Sequence, residues 1–420
     1  MATYKVLPPL QLQGTITLPA SKSISNRALI INALSGNACP PENVSDCDDT
    51  RVMVKALGNM PPTIDILAAG TAMRFLTAYL STRPGETHVI TGTERMQHRP
   101  IEVLVEALRS LGAEITYAGE DGFPPLHITG RQLVGGKLSL PGNVSSQYIS
   151  ALLMIAPTMK YGLELTLVGG IISRPYIDMT LRIMTRFGAR AAWTAENVLK
   201  VEPVSYQPTP YYIENDWSAA SYWYQMVALS PDASARVTLP GLFADSTQGD
   251  SAVARLFEPL GVRTEYIEGG VRLTKGKASE GVVEESLLSQ PDLAQTLVVT
   301  CTMLNRPFTF GGLQTLRIKE TDRIAALQQE LAKLGYVLHD REVKLSNGKT
   351  DLQLSWDGER TEEAESPRIT TYEDHRMAMA FAPCALVRGS IEIEHPEVVT
   401  KSYPTYWDTL HEAGFRTEEV

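Results

Sequence analysis

Six times along the chain a small polar cluster leads into a stretch of mostly apolar residues. The clusters are Ser21-Lys22-Ser23, Gly70-Thr71-Ala72, Ser145-Ser146-Gln147, Asp216-Trp217-Ser218, Asp292-Leu293-Ala294 and Asp374-His375-Arg376. A helix that is apolar on every side has to be buried, so each run predicts a buried first helix. A more amphipathic pattern follows each one, closing at Leu57-Gly58, Leu111-Gly112, Phe187-Gly188, Leu260-Gly261, Leu334-Gly335 and Ala413-Gly414. That pattern predicts a second, outward-facing helix, and glycine suits the left-handed residue past its end. A period of roughly 50 to 80 residues exceeds a simple solenoid unit, so each repeat must also hold strands. The expectation is an α/β protein of six units, three plus three around helical cores.

Finer patterning fills in the repeats. Residues 1–17 alternate apolar and polar and read as strand around a Pro8-Pro9 turn. Asp46–Leu57 reads as a helix with Asp48 and Asp49 in its first turn, where acids suit the dipole. Ile64–Leu67 and Val398–Thr400 read as short strands, and Pro100 as a helix start just after Arg99. Leu316–Ile324 packs alternating charges into a helix start, with Lys319 and Arg323 on one face beside Glu320. Paired glycines at 135, 169, 269 and 311 suit hairpin turns, and Glu359–Pro367 reads as a solvated acidic loop. Prolines 203, 208 and 210 cluster near Val204–Tyr212 and mark a crossing between two domains.

Composition narrows the function. A chain of 420 residues is too long for one comfortable core, and its net charge of −10 argues against nucleic acid or an anionic membrane surface as partner. Cys39, Cys47, Cys301 and Cys384 lack metal-ligand spacing and read as reduced thiols of a cytoplasmic protein. Neither a leader-like segment nor a membrane-length apolar run is apparent. No glycine cluster completes a nucleotide fingerprint.

The cations, by contrast, gather in the repeated clusters. Free N–H groups at a helix start attract anions, and serine hydroxyls, Lys22 and Arg27 add donors and charge. Each cluster alone reads equally as an ordinary cap with surface charges. Their recurrence at equivalent positions, together with Asp292 and Glu320, favours a shared site for an anionic small molecule.

Leu18–Arg27, Ala69–Arg74, Arg95–Ile101, Ser145–Gln147, Arg317–Arg323, Asp374–Met379 and Lys401 together resemble the EPSP synthase (3-phosphoshikimate 1-carboxyvinyltransferase) family, in order along the chain. The resemblance implies two domains of three βαβαββ units each, an inside-out α/β barrel of the enolpyruvyl transferase type. Residues 20–213 would form one domain, with most contacts to shikimate 3-phosphate. Residues 1–19 and 214–420 would form the other, with the general base and the cations for phosphoenolpyruvate.

The implied reaction moves the enolpyruvyl group of phosphoenolpyruvate onto the 5-hydroxyl of shikimate 3-phosphate by addition and elimination of phosphate, on the route to chorismate and the aromatic amino acids. By motif, Lys22, Ser23, Arg27, Ser145, Ser146, Gln147, Ser173, Tyr176, Asp292, Thr315 and Lys319 would hold shikimate 3-phosphate. Lys22, Gly70, Arg99, Gln147, Arg323, Arg376 and Lys401 would hold phosphoenolpyruvate. Asp292 would be the base for the hydroxyl, and Glu320 with Lys22 would serve the methylene carbon. The resemblance implies no metal or organic cofactor and a monomer whose partners are these two substrates. Ala68 and Thr315 depart from the family pattern, each standing where an asparagine is usual. Two alternatives are the sister UDP-N-acetylglucosamine enolpyruvyl transferase and a silent anion-binding protein on the same scaffold. The sister commonly carries a loop cysteine, and Thr93–Pro100 has none.

Overall fold

Burial of the six apolar runs is what the fold is built on. The structure, a computed structural model, describes residues 2–345 and 350–420. Every residue of helices Gly70–Ser81, Ala294–Met303 and His375–Phe381 is buried, and in Trp217–Leu229 every residue but Ser218. The second helices bury one stripe only: Asp48–Asn59 hides Asp49, Thr50, Met53 and Ala56 and leaves the rest to solvent or the edge of the core. Gly112, Gly188, Gly261, Gly335 and Gly414 take positive φ after these helices. The first repeat differs. Its helix runs through Gly58 to Asn59, and Met60 takes the left-handed turn at φ 41°, stopped by Pro61-Pro62.

Contacts divide the chain into two compact units, Ala20–Glu214 and Met1–Pro19 with Asn215–Val420, each with its own hydrophobic core. In the Ala20–Glu214 unit, strands Thr63–Asp65, Thr87–Thr91, Leu126–Thr129 and Glu114–Tyr117 lie side by side in that order. The first two are parallel, joined by helix Gly70–Ser81, and the others are antiparallel, which makes the repeat βαβαββ. Gly136–Pro141, Leu163–Val168, Val198–Val201 and Ala191–Ala195 repeat the arrangement. Beside helix Lys22–Leu34 the sheet shrinks to a bridge between Glu42 and Tyr212.

Among the described residues the other unit has three four-stranded sheets, and the N-terminal segment completes two of them. Gln13–Thr15 runs parallel to Arg236–Pro240 at the edge of one sheet. Thr3–Leu7 lies between Ile391–Glu394 and Arg416–Glu419 in another, antiparallel to both.

Several local expectations are corrected. Val398–Thr400 belongs to a 3-10 turn, Pro396–Lys401, where Pro396 sets the opening φ, and not to a strand. The helix expected at Pro100 begins at Glu102. Of the glycine pairs, Gly269-Gly270 links an antiparallel hairpin, whereas Gly169-Gly170 follows and Gly311-Gly312 ends a strand that leads into a helical segment. Residues 359–366 are exposed, as a solvated loop should be. Among the described residues no helix is long and apolar enough to cross a membrane.

The inserted N-terminal strand generates a prediction. Val6 is fully buried at its centre, whereas Leu10, four residues on, is 98% exposed. Val6→Ala should cost about 2 kcal/mol, from the methyl groups removed and the gap left behind. Leu10→Ala should change stability by less than about 0.5 kcal/mol. Urea denaturation of both variants checks the contrast; equal midpoints would contradict the strand's place in the core.

Candidate active site

In the unit built from Met1–Pro19 and Asn215–Val420, the charged segment 316–324 folds around one cap. Asp322 accepts the backbone N–H groups of Ile324 and Ala325 at 3.1 Å, so the helix starts at Arg323. Lys319 therefore lies outside it, just past the 3-10 turn Gln314–Ile318, and does not share a helical face with Arg323. The two cations meet through Asp292 instead. Arg323, 1% exposed, donates Nη1 to Asp292 Oδ1 (3.1 Å), Nη2 to Glu320 Oε2 (2.9 Å) and Nε to Asp374 Oδ2 (2.7 Å). Lys319 Nζ lies 3.5 Å from Asp292 Oδ1, Arg376 Nη2 3.2 Å from Asp292 Oδ2, and Lys401 Nζ 3.5 Å from Glu320 Oε1. Asp374 also accepts the N–H of Arg376 at 2.9 Å and so caps helix His375–Phe381.

Electrostatics shift Asp292 and a further buried acid, Asp250, in opposite directions. Burial alone would raise Asp292, but Arg376, Lys319 and Arg323 outweigh it and hold the carboxyl well below the usual carboxylate range. Arg323 moves upward: burial disfavours its charge, and Asp374, Glu320 and Asp292 more than restore it. Asp250 goes the other way. Burial and the Asp292 charge push it up to about 7, against the pull of Arg376. The Ser218 hydroxyl donates to its Oδ2, while Oδ1 is buried without a hydrogen-bond partner.

Within the Ala20–Glu214 unit, Lys22 opens helix Lys22–Leu34 with Nζ 3.5 Å from Asp49 Oδ2, the acid expected only to serve a helix dipole. Arg27 is buried. It donates Nε to Thr180 Oγ1 (2.7 Å), Nη1 to the Ser23 carbonyl (2.8 Å) and Nη2 to Ser150 Oγ (3.1 Å), and lies over the rings of Phe75 and Tyr176. None of these hydrogen-bond partners carries a charge, and burial lowers its pKa to about 10 despite Tyr176.

A Cβ at Gly70 would come within 2.7 Å of a guanidinium nitrogen of both Arg74 and Arg99, so glycine lets the two cations crowd that helix start and any side chain there would push them aside. Gln147 Nε2 donates to Thr71 Oγ1 at 3.0 Å, and Ser145 caps Ser146–Ile155 through the Gln147 N–H. Ser173 is buried and left-handed (φ 56°) just before helix Arg174–Arg186, whose first turn holds Tyr176.

Comparison with known proteins decides the family. A family model described as EPSP synthase (3-phosphoshikimate 1-carboxyvinyltransferase) matches residues 6–67 and 60–410. The chain belongs to the EPSP synthase family. A Bacteroides fragilis protein named 3-phosphoshikimate 1-carboxyvinyltransferase is 60% identical over 412 residues, covering 98% of both chains. A Neisseria meningitidis protein of the same name is 36% identical over 445 residues, covering 98% of this chain and 99% of its own. The solved EPSP synthase of Acinetobacter baumannii superposes over all of both chains with a TM-score of 0.76 at 22% identity, a likeness of fold. The two-domain α/β fold is thus that of an enolpyruvyl transferase of the EPSP synthase kind.

Two positions the sequence analysis set apart, Ala68 and Thr315, are placed differently. Ala68 is exposed and offers no amide. Thr315 sits in the turn Gln314–Ile318 with its hydroxyl oxygen buried and without a hydrogen-bond partner, turned away from solvent. Sequence reasoning missed four polar groups. Asp374 and Arg74 lie inside the segments Asp374–Met379 and Ala69–Arg74, and the helix-start position of Asp374 is the available signal. Asp49 could be seen only as a first-turn acid. Asp250 carries no local signal; burial reached through folding gives it its character.

Asp250 supports a pH prediction. The folded protein keeps its proton up to about pH 7, while the unfolded chain releases it near 3.8. Between those values the folded state binds more protons, so this group's contribution falls as pH rises and is level above pH 7. Asp250→Asn should therefore gain stability relative to the parent between pH 4.5 and 7.5, by on the order of 3 kcal/mol. A difference that stays constant with pH in denaturant titrations would contradict a neutral buried carboxyl.

Proposed function

We infer that the protein transfers the enolpyruvyl group of phosphoenolpyruvate to the 5-hydroxyl of shikimate 3-phosphate and releases phosphate. The observation that carries this reading is four cations, Lys319, Arg323, Arg376 and Lys401, gathered within ion-pair distance of Asp292 and Glu320. Each substrate bears a phosphate and a carboxylate, so bringing the two together requires fixed positive charge to offset their repulsion. Arg323, Arg376 and Lys401, with Lys22, Gly70, Arg99 and Gln147, are assigned to phosphoenolpyruvate. Lys22, Ser23, Arg27, Ser145, Ser146, Gln147, Ser173 and Tyr176 are assigned to shikimate 3-phosphate, with Asp292 and Lys319 completing its contacts; Thr315, its hydroxyl turned away from solvent, is assigned there by motif alone. The Ala20–Glu214 unit thereby carries most of the shikimate 3-phosphate contacts. The reading is of a cytoplasmic monomer.

The chemistry follows from the acids. Asp292, held ionised, takes the proton of the 5-hydroxyl as that oxygen bonds to C2 of phosphoenolpyruvate. The methylene carbon gains a proton in the same addition. Glu320, held by Arg323 and Lys401, exchanges protons with that carbon, with Lys22 as its helper. Loss of a proton from the resulting methyl group then re-forms the double bond, the bond from C2 to the phosphate oxygen breaks, and phosphate leaves.

Phosphate release from phosphoenolpyruvate, with shikimate 3-phosphate or UDP-N-acetylglucosamine as acceptor, tests the reading. Release with the first alone is expected; release with the second alone, or with neither, would overturn it. Asp292→Asn should lower kcat by about 10²–10⁴-fold with modest change in KM, since asparagine keeps the shape but cannot take a proton. An unchanged kcat would leave Asp292 a binding group only.

A further inference from the structure

Helix Arg323–Lys333 carries an acid, Glu330, two turns after Arg323 and so on the same side of the helix. Its side chain is fully buried. Oε2 accepts from Lys333 Nζ at 2.6 Å and from the backbone N–H of Thr370 at 3.0 Å, and Oε1 faces the Tyr372 hydroxyl in a short hydrogen bond. Gln329 Oε1 lies 2.8 Å from the same hydroxyl.

The segment so gripped is unusual. Tyr372 and Glu373 are consecutive non-glycine residues in the left-handed region, at φ 53° and 56°. L-residues avoid that region, and such a turn persists only where its surroundings over-determine it. It leads directly into Asp374, bonded to Arg323, and Arg376, bonded to Asp292. One helix therefore holds both ends of the segment, Thr370 and Tyr372 through Glu330 and Asp374 through Arg323.

The geometry points to Glu330 and Tyr372 as positioning residues: together they hold the left-handed turn that aims Arg376 at Asp292. This rests on the reading of Arg376 as a phosphoenolpyruvate-side cation. Released from Glu330, the turn relaxes toward ordinary backbone geometry and Arg376 loses its aim, while the helices on either side keep their cores.

Tyr372→Phe removes only the hydroxyl. It should raise KM for phosphoenolpyruvate about tenfold, as a small misplacement of a binding group does, and leave KM for shikimate 3-phosphate and kcat within about twofold. The Arg376 amide, which donates to Asp374 Oδ1, should exchange with solvent faster, while amides of Arg323–Lys333 keep their protection. Adding Glu373→Gly, which tolerates left-handed φ without a clamp, should bring KM back toward the parent. A lowered melting temperature with KM and Arg376 exchange unmoved would overturn the proposal, as would both KM values rising together. Glu330→Gln, read in the same way, decides the matter should Tyr372→Phe fail to fold. If the parent protein released no phosphate, the functional reading would fall and exchange at Arg376 alone would decide for or against the clamp.

Discussion

One buried guanidinium ties three acids together. Arg323 reaches Asp292, Glu320 and Asp374, which come from the start of one repeat, its charged turn and the start of the next. Only a planar fork with several donors can do this; a lysine in the same place would be a point charge. Three carboxylates at that spacing repel one another, and the buried cation offsets that repulsion. Lys319, Arg376 and Lys401 then surround the group from outside. Because Arg323 is hidden from water, the arrangement is insulated from screening by salt in a way that surface pairs are not.

The repeat explains why such a group can form at all. Each unit drives a mostly apolar helix into its core, so the polar residues that start that helix sit at the margin of the core. Asp292 and Asp374 are such starts, and in the other unit Lys22, Gly70 and Ser145 are their counterparts. Packing thus dictates where the chemistry is placed. The N-terminal strands reinforce it by closing the first and last sheets of the second unit.

Much of this was legible before folding. Helix burial could be read because an all-apolar run has no other stable place, and the charged motifs because cations recurred at equivalent points of the repeat. What escaped depended on competing local signals or on distant neighbours. Gly58 looked like a helix end, but Pro61-Pro62 set the stop and Met60 took the turn. Lys319 looked helical until the Asp322 cap fixed the start four residues later. Asp250 looks unremarkable in sequence, and only tertiary burial gives it its raised pKa; Thr315 drew notice there, but only the fold hides its hydroxyl.

The central claim is that fixed cations keep Asp292 ionised. Carboxyl carbon chemical shifts of the ligand-free protein, followed by NMR as pH is lowered and assigned with an Asp292→Asn comparison, test it directly. The account predicts that Asp292 stays ionised well below the ordinary aspartate value of about 3.9. Titration of Asp292 at or above that value would contradict it.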